Sequence, residues 1–263
     1  MTVDPLLEKA LRGLAEHEQL LVGLDFDGVL APFVAHPSEA VALPGTMAAV
    51  RDLVALQGVS VALVSGRARA DLAERTGVPL DDEHLVLVGS HGAELALHPD
   101  DRGSGLDEPT RGRLAAVQVR LEAVAAEHPG AFVEHKPTAA VLHTRRLPPA
   151  DAAMVTAAAL ATVAEVPGAH VTRGKEVVEV AVTEASKGAA ISRLREHLGA
   201  EAVLYLGDDV TDETVFALLH DQDVGVKVGA GETAAAHRIA DPVAVRELLQ
   251  ALPTLLSRQR PGG

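Results

Sequence analysis

The sequence predicts an α/β protein with a parallel sheet at its centre and a smaller α+β module inserted into it. Short, uncharged apolar runs such as 20–24 and 202–206 are typical of strands buried on both faces. These runs alternate with helical segments, which is the pattern of parallel βα units. Between residues 104 and 181 the pattern changes to two helices and two strand pairs, which predicts a separate module.

The first part of the chain predicts three strands separated by helices. Leucines at 7, 11 and 14 share one face of the first helix, and Thr46 and Gly58 are suitable residues for the start and stop of the second. The predicted elements are, in order, helix 4–18, strand 20–24, helix 46–57, strand 59–64, helix 68–75 and strand 85–88.

A polar, glycine-rich stretch at 100–105 predicts a hinge before the inserted module. The predicted elements of the module are helix 108–127, strands 131–136 and 139–145, helix 148–165, and strands 169–173 and 176–182. The βα pattern then resumes with helix 187–198, strand 202–206, helix 211–220, strand 223–228, helix 232–237 and helix 243–256. We therefore predict a discontinuous core at 1–103 and 182–263, with the module at 104–181.

Composition limits the classes of partner and site. The chain has 263 residues, and its 37 acidic against 23 basic side chains give a net charge of −14, which disfavours nucleic acid and anionic membranes as partners. The absence of cysteine excludes disulfides, thiolate metal sites and cysteine nucleophiles. The sequence shows neither a signal segment nor an apolar run of ~20 residues. We expect a cytoplasmic monomer acting on a small molecule.

Two carboxylates follow the first predicted strand. Asp25 and Asp27 occupy alternating positions, so their side chains point to the same side of the chain. Placing two acids together is costly unless a cation lies between them, and Mg²⁺ with its preference for oxygen ligands removes that cost. Gly28 permits a tight turn in which the backbone approaches a ligand. A strand end followed by a simple turn is the alternative interpretation.

Three further polar groups fall at matching places. Ser65 follows the second strand, Asp208 and Asp209 follow strand 202–206, and Lys187 begins a helix. Taken singly, they are equally consistent with a helix cap, a turn and a solvated surface charge. Ligands bind at the carboxyl ends of strands in an open parallel sheet, so the combination predicts one site containing a nucleophile, a hydroxyl, a lysine and a further carboxylate.

These residues resemble the four motifs of the haloacid dehalogenase superfamily phosphatases and, within it, the trehalose-6-phosphate phosphatase family. The motifs are Asp25-x-Asp27-Gly28, Ser65-Gly66-Arg67, Gly89 to Glu94, Glu134-x-Lys136-Pro137, His143-x-Arg145, Gly174-Lys175-x-x-x-Glu179 and Gly207-Asp208-Asp209-x-x-Asp212-Glu213. The match runs from about residue 20 to 245. It implies a Rossmann-like haloacid dehalogenase core with an inserted α+β cap. His135 and Thr144 depart from the family pattern of Asp and an aromatic residue.

The resemblance implies roles for each motif. Asp25 would be the nucleophile, Asp27 the general acid and base, and Lys187 the third catalytic residue. Phosphate would be bound by Phe26, Asp27, Gly28, Ser65, Gly66 and Lys187. Mg²⁺ would be bound by Asp25, the backbone carbonyl of Asp27 and Asp208, with Asp209 and Asp212 supporting. Substrate would be contacted by Arg67, His91, Glu94, Glu134, Lys136, Arg145, Arg173, Lys175 and Glu179.

Strand periodicity in the inserted module supports a charged face. Arg173, Lys175 and Glu179 share one parity, and Val178 and its alternate neighbours share the other. We therefore expect these charges to line one face of the cap sheet, suited to a sugar phosphate. An ordinary solvated sheet face is the alternative.

The resemblance implies a Mg²⁺-dependent phosphatase that hydrolyses trehalose 6-phosphate through an aspartyl phosphate, in trehalose biosynthesis. The nearest alternative is a phosphatase of the same fold for sucrose phosphate, a glycosyl-phosphoglycerate or a trehalose-like pseudo-disaccharide phosphate. A phosphomutase, a non-catalytic sugar-phosphate sensor and a metal site of His91, His135 and His143 are further alternatives. The expected partner is a small-molecule sugar phosphate.

Overall fold

The structure is a computed structural model that describes residues 4–34, 39–82, 84–97, 106, 108–174, 176–183 and 185–257. The chain divides into two compact units. The first comprises Met1–Pro99 and Ser186–Gly263, and the second comprises Asp100–Ala185. A mostly parallel sheet in the first unit and an antiparallel sheet in the second confirm the predicted fold class.

The helices and strands follow the predicted order with few exceptions. The helices are α1 Pro5–Gly13, α2 Thr46–Val54, α3 Arg69–Thr76, α4 Glu108–Glu127, α5 Pro149–Val163, α6 Lys187–Leu198, α7 Glu213–Phe216 and α8 Pro242–Ser257. The strands are β1 Leu20–Asp25, β2 Val59–Val64, β3 Leu85–Gly89, β4 Glu94–Leu95, β5 Phe132–Lys136, β6 Ala139–His143, β7 His170–Arg173, β8 Val177–Ala181, β9 Ala202–Gly207, β10 Val224–Val228 and β11 His237–Ile239.

Strand β1 lies in the middle of the sheet of the first unit. The strand order is β11-β10-β9-β1-β2-β3-β4, and only β4 pairs antiparallel with its neighbour. All six residues of β1 are buried, because helices cover both faces of the sheet. Leu20, Val22 and Leu24 pack in one apolar cluster with α1, α2 and α8, while Leu21 packs in the other with α6. The ends of β1, β2 and β9 therefore meet at one edge of the sheet.

The second unit is a four-stranded antiparallel sheet with two helices on one face. Its strand order is β5-β6-β8-β7. Apolar side chains of α4 and α5 pack against alternate residues of β6 and β8, namely Ala140, Leu142, Val178 and Val180. Because β residues alternate between faces, the other residues of these strands line the opposite face.

Two predicted helices near the C-terminus were wrong. The chain forms only the four-residue α7 where a helix over 211–220 was predicted, and turns followed by β11 replace the helix predicted over 232–237. Strand β11 pairs with β10, with Val226 opposite His237. A short alanine-rich run carries too little periodicity to separate helix from strand, and the hydrogen-bonding groups at the open edge of β10 decide the outcome.

The predicted face of Arg173 was also wrong. Arg173 lies opposite Val178, while Thr172 lies opposite Glu179. Residues directly opposite each other project to the same face of an antiparallel pair, so Arg173 shares the face of Val178 rather than that of Glu179. Odd or even residue numbers identify the face of a side chain only within one strand. Between two strands, the turn sets the register and so decides which residues share a face. Lys175, which lies between β7 and β8 in the sequence, is outside the described residues.

Candidate active site

A buried lysine connects two carboxylates at the sheet edge. Lys187 is the first residue of α6 and is only 2% exposed. Its Nζ donates to Oδ2 of Asp25 at 2.7 Å and to Oδ1 of Asp212 at 2.8 Å. Ser186 caps this helix by accepting from the amide of Ala189, which fixes where α6 begins. The helix start therefore places the ammonium group directly beside the end of β1.

Asp212 is completely buried and fully hydrogen-bonded. Its Oδ1 accepts from Lys187 and from the hydroxyl of Tyr205, the latter at 2.7 Å. Its Oδ2 accepts from the backbone amides of Asp208 at 2.9 Å and Asp209 at 3.0 Å. Burial alone would raise the pKa of Asp212, but the charge of Lys187 and these hydrogen bonds hold that pKa below its ordinary value. Asp212 therefore organises the loop after β9 as a buried anion.

Three carboxylates converge at this edge. Ligand oxygens of Asp25, Asp208 and Asp212 all lie within 4.8 Å of one another. Burial raises the pKa of Asp25 well above its ordinary value in spite of Lys187, and Asp212 and Asp208 add to the rise. Burial, followed by the charge of Asp212, raises the pKa of Asp208 to about 6. The three carboxylates outnumber the two buried lysines beside them, Lys187 and Lys227, which is the situation that a cation relieves.

The side chain of Asp27 is bound by an arginine from the next loop. Nε and Nη2 of Arg67 donate to the two carboxylate oxygens of Asp27, each at 2.7 Å. Nη1 of the same guanidinium donates to Asp71 at 3.0 Å. The backbone amide of Arg67 donates to Oγ of Ser65 at 3.1 Å. This arrangement ties the end of β2 to Asp27 and leaves the hydroxyl hydrogen of Ser65 available to a ligand.

The segment after β3 packs on the loop that contains Ser65. The amide of His91 donates to the carbonyl of Ser65 at 2.9 Å, and that of Ser90 donates to the carbonyl of Arg67 at 2.7 Å. His91 has a φ of 54°, a left-handed conformation that is uncommon for residues other than glycine. Its ring covers Gly66, where any Cβ would overlap it. Glu94 is buried and accepts from Ser90 and from the amide of Arg69.

Two of the predicted phosphate-binding amides are already engaged. The amide of Phe26 donates to Oδ1 of Asp25 at 2.6 Å, and that of Gly28 donates to the carbonyl of Ala31 at 2.7 Å. Gly28 has a φ of 77°, and a Cβ there would overlap the carboxylate of Asp208. Glycine at 28 therefore serves the tight turn and the close approach of Asp208.

The predicted substrate residues of the second unit form local pairs. On the face away from the helices, Lys136 donates to Glu179 at 3.1 Å, and Nε2 of His143 lies 2.8 Å from Glu134. The guanidinium of Arg145 lies over the ring of Phe132, 5.4 Å from its centroid.

Two histidines of the alternative metal site, His135 and His143, have separate carboxylate partners. His135 pairs with Glu122 of α4, whereas His143 pairs with Glu134. Among the described residues, the only group of three that could hold a metal is the carboxylate cluster above, and it contains no histidine.

Sequence reasoning missed two buried polar residues of the site. Tyr205 lies within the apolar run 202–206, which the sequence predicts only as a buried strand. Lys227 is 4% exposed, and its Nζ donates to the carbonyls of Asp208 and Val228. A lysine in the middle of an apolar strand is a signal that could have been used, because a fully buried lysine requires partners.

Every helix among the described residues falls short of the length or the apolar character needed to cross a membrane.

Comparison with known proteins identifies the family of this chain. Residues 23–247 match the sequence model of the family described as trehalose-phosphatase. The chain is 32% identical over 241 residues to the trehalose-6-phosphate phosphatase of Escherichia coli, covering 90% of this chain and 87% of that protein. The solved structure of the Aspergillus fumigatus trehalose-6-phosphate phosphatase matches with a TM-score of 0.70 at 28% identity, covering 94% of this chain and 96% of that one.

Two further relatives are much longer than this chain. They are Mycobacterium tuberculosis proteins described as uncharacterized glycosyl hydrolases, and each is 34% identical over 268 residues. The match covers 92% of this chain but only 19% of the length of either relative.

Proposed function

This chain belongs to the trehalose-phosphatase family, and from that premise we propose that it hydrolyses trehalose 6-phosphate to trehalose and inorganic phosphate. The family match agrees with the resemblance noted in the sequence. The observation that carries the proposal is the contact of 2.7 Å between Lys187 and the buried Asp25, at the sheet edge where parallel sheets bind ligands. This contact supports Asp25 as the nucleophile and Lys187 as a phosphate-binding group, which are the roles that the family motifs imply.

We assign the attack on phosphorus to Asp25. One carboxylate oxygen forms a bond to phosphorus while the bond to the sugar oxygen breaks, giving an aspartyl phosphate and the free sugar. Water then attacks phosphorus, releasing phosphate and restoring the carboxylate. Lys187 uses two of its three N–H groups on Asp25 and Asp212, so the third is available to a phosphate oxygen. The hydroxyl of Ser65 is a second donor for phosphate.

Proton transfer is assigned to Asp27. It would donate a proton to the leaving sugar oxygen and later accept one from the attacking water. Arg67 donates one hydrogen bond to each of its oxygens in this structure, and the second lone pair of each oxygen can carry the transferred proton. The pairing sets the position of Asp27 before a substrate enters.

The cluster at the sheet edge fits a divalent cation. Oδ1 of Asp208 is buried and has no hydrogen-bond partner among the described residues, and an oxygen of this carboxylate lies within 4.8 Å of one of Asp25. Asp212 already accepts four hydrogen bonds, so it suits a supporting role rather than direct ligation. Asp25, Asp208 and the backbone carbonyl of Asp27 would hold Mg²⁺, with Asp209 supporting. Bound Mg²⁺ would offset the repulsion between phosphate and carboxylate and neutralise charge on the transferring group.

Recognition of the sugar is assigned to the second unit. Lys136 and Glu179 form a half-exposed ion pair on the face of the sheet opposite the helices. Together with Glu134 they offer both donors and acceptors to hydroxyl groups. A site built to bind hydroxyls discriminates strongly against analogues that lack them. We expect Glu179→Gln to raise KM for the disaccharide phosphate more than it lowers kcat.

Phosphate release from a substrate panel tests the proposal. Trehalose 6-phosphate, sucrose 6-phosphate, glucosyl-3-phosphoglycerate and glucose 6-phosphate should be compared with and without Mg²⁺. Wild type should prefer trehalose 6-phosphate, and Asp25→Asn should lose at least about 1,000-fold in kcat because no nucleophile remains. The matched control is Asp52→Asn, the same change at an exposed site on α2. Activity surviving in Asp25→Asn would exclude the covalent mechanism, and preference for another substrate would exclude the trehalose assignment.

A further inference from the structure

Glycines on the two neighbouring strands of the central sheet flank the buried side chain of Tyr205. Tyr205, the single tyrosine of the chain, lies on β9 directly opposite Gly23 of β1 and Gly225 of β10. A Cβ at Gly23 would lie 2.5 Å from Cδ2 of the tyrosine ring, closer than two carbons can approach. Glycine inside a strand weakens it and marks the close approach of another group. Here the group that approaches is the ring of Tyr205.

The ring is fixed on its other sides as well. Tyr205 has no exposed surface, and it meets the ring of Phe216 edge-on, with centroids 5.8 Å apart and planes at 75°. Edge-to-face contacts of this kind define the orientation of a buried ring. The direction of the hydroxyl group is therefore set by packing and not by the hydrogen bond alone.

The hydroxyl lies at the end of a chain of hydrogen bonds that leads to Asp25. It donates at 2.7 Å to Oδ1 of Asp212, and the same oxygen accepts from Lys187 at 2.8 Å. Lys187 in turn donates to Asp25 at 2.7 Å. All four side chains are buried, so hydrogen bonds among them are stronger than they would be in water.

We propose that Tyr205 is a positioning residue for the phosphatase reaction, which rests on the role proposed above for Asp25. Its hydroxyl and Lys187 both donate to Oδ1 of Asp212. The hydroxyl therefore weakens the attraction between this oxygen and the ammonium group. Without that hydroxyl, Asp212 draws Lys187 towards itself, and the contact from Lys187 to Asp25 and to the phosphate weakens. Tyr205 thus acts on the reacting atoms through two intermediate side chains.

The direct test is Tyr205→Phe, which keeps the ring and removes only the hydroxyl. We expect kcat to fall about tenfold, with KM changed by less than about twofold, because an oriented buried hydrogen bond is lost but binding contacts remain. The matched control is Thr76→Val, which removes another buried hydroxyl, one that donates to the carbonyl of Leu72 at 2.7 Å on α3. We expect it to lower Tm about as much as Tyr205→Phe and to keep kcat. Equal kcat in wild type and Tyr205→Phe would overturn the proposal.

A double variant separates positioning from general stability. If Tyr205 acts through Asp212, then Asp212→Asn with Tyr205→Phe should lose no more kcat than Asp212→Asn alone. A purely structural contribution of Tyr205 would instead add its own loss to that of Asp212→Asn. Additive losses would therefore contradict the proposal.

A measurement independent of activity distinguishes this proposal from the proposed function. The chain has one tyrosine and no tryptophan, so tyrosine fluorescence reports on Tyr205 alone. A carboxylate that accepts from a phenol quenches its emission, so Asp212→Asn should increase the emission of the folded protein. Unchanged emission would show that the contact is absent in solution. Wild type that is inactive on every sugar phosphate, with the emission increase present, would contradict the proposed function while leaving the contact in place.

Discussion

Arg67 binds both carboxylate oxygens of Asp27 through two parallel hydrogen bonds of 2.7 Å. The geometry is that of a planar guanidinium fork, which a lysine cannot reproduce. The same guanidinium donates to Asp71, which accepts in turn from Arg75 at 2.9 Å. Because three of these residues lie one helical turn apart on or beside α3, the fork is held in place by its own helix.

Arg67→Lys should impair the step that needs a proton. The variant keeps the charge but loses the fork, so Asp27 is no longer held in one orientation. We expect kcat for the sugar phosphate to fall about tenfold or more. With p-nitrophenyl phosphate, whose leaving group needs no proton, the loss should be much smaller. The ratio of the two kcat values measures this difference.

The control for Arg67 is Arg75→Lys, which alters the same network one turn further from Asp27. It should reduce stability slightly and leave the ratio of the two kcat values unchanged. Equal losses on both substrates in Arg67→Lys would mean that Arg67 does not act through Asp27.

Gly28→Ala should weaken the carboxylate cluster. Gly28 has a φ of 77°, and a Cβ there would overlap the carboxylate of Asp208. The left-handed conformation alone costs about 1–2 kcal/mol for a residue with a Cβ. Gly77→Ala carries the same backbone cost, because its φ is 65°, but no atom in the described part of the chain lies within 4 Å of its added Cβ. We expect Mg²⁺ affinity and kcat to fall only in Gly28→Ala, as measured by calorimetric titration and phosphate release.

How much of the fold follows from the sequence depends on the length of each pattern. The 20-residue helix α4 and the wholly buried β1 were predicted because their patterns are long or free of charge. The two-residue β4 and the three-residue β11 were not, since such strands exist through pairing with a neighbour rather than through their own composition. The face of Arg173 failed for a related reason: a hairpin turn sets register, and its geometry is not visible in strand parity.

The site divides in the same way. Carboxylates at strand ends could be predicted because parallel strands end at a common edge, which places Asp25 and Asp208 together. The hydrogen-bond partners of those carboxylates could not be predicted from the sequence. An apolar run does not reveal that the hydroxyl of Tyr205 reaches Asp212, and the spacing of Asp27 and Arg67 by 40 residues does not reveal that they pair. Contacts of this kind depend on three-dimensional packing.

The metal-free protein should have a stability that depends on Asp208. Burial and Asp212 raise the pKa of Asp208 to about 6, above its unfolded value of about 3.9. The folded state therefore binds more protons between these pH values, and the contribution of this group to stability is full below pH ~4 and is lost as the pH rises through ~6. In EDTA, the Tm of wild type should fall relative to the Tm of Asp208→Asn as the pH rises from 4 to 7. Added Mg²⁺ should reverse that trend, and a difference independent of pH would contradict it.

Lys227→Met should make metal binding more sensitive to acid. The charge of Lys227 lowers the pKa of Asp208, partly offsetting the effects of burial and Asp212. Without that charge, Asp208 holds its proton at a higher pH, and the proton competes with Mg²⁺. One unit of added pKa shift would lower the ionised fraction of Asp208 at pH 6 from about a half to about a tenth, so we expect calorimetric titration to show about a fivefold loss of Mg²⁺ affinity there and a smaller loss at pH 8. Lys9→Met removes the same charge from an exposed site on α1 and should leave the affinity unchanged at both pH values. A loss in Lys227→Met that is equal at pH 6 and pH 8 would show that Lys227 acts only by holding the carbonyls of Asp208 and Val228, and not through the proton on Asp208.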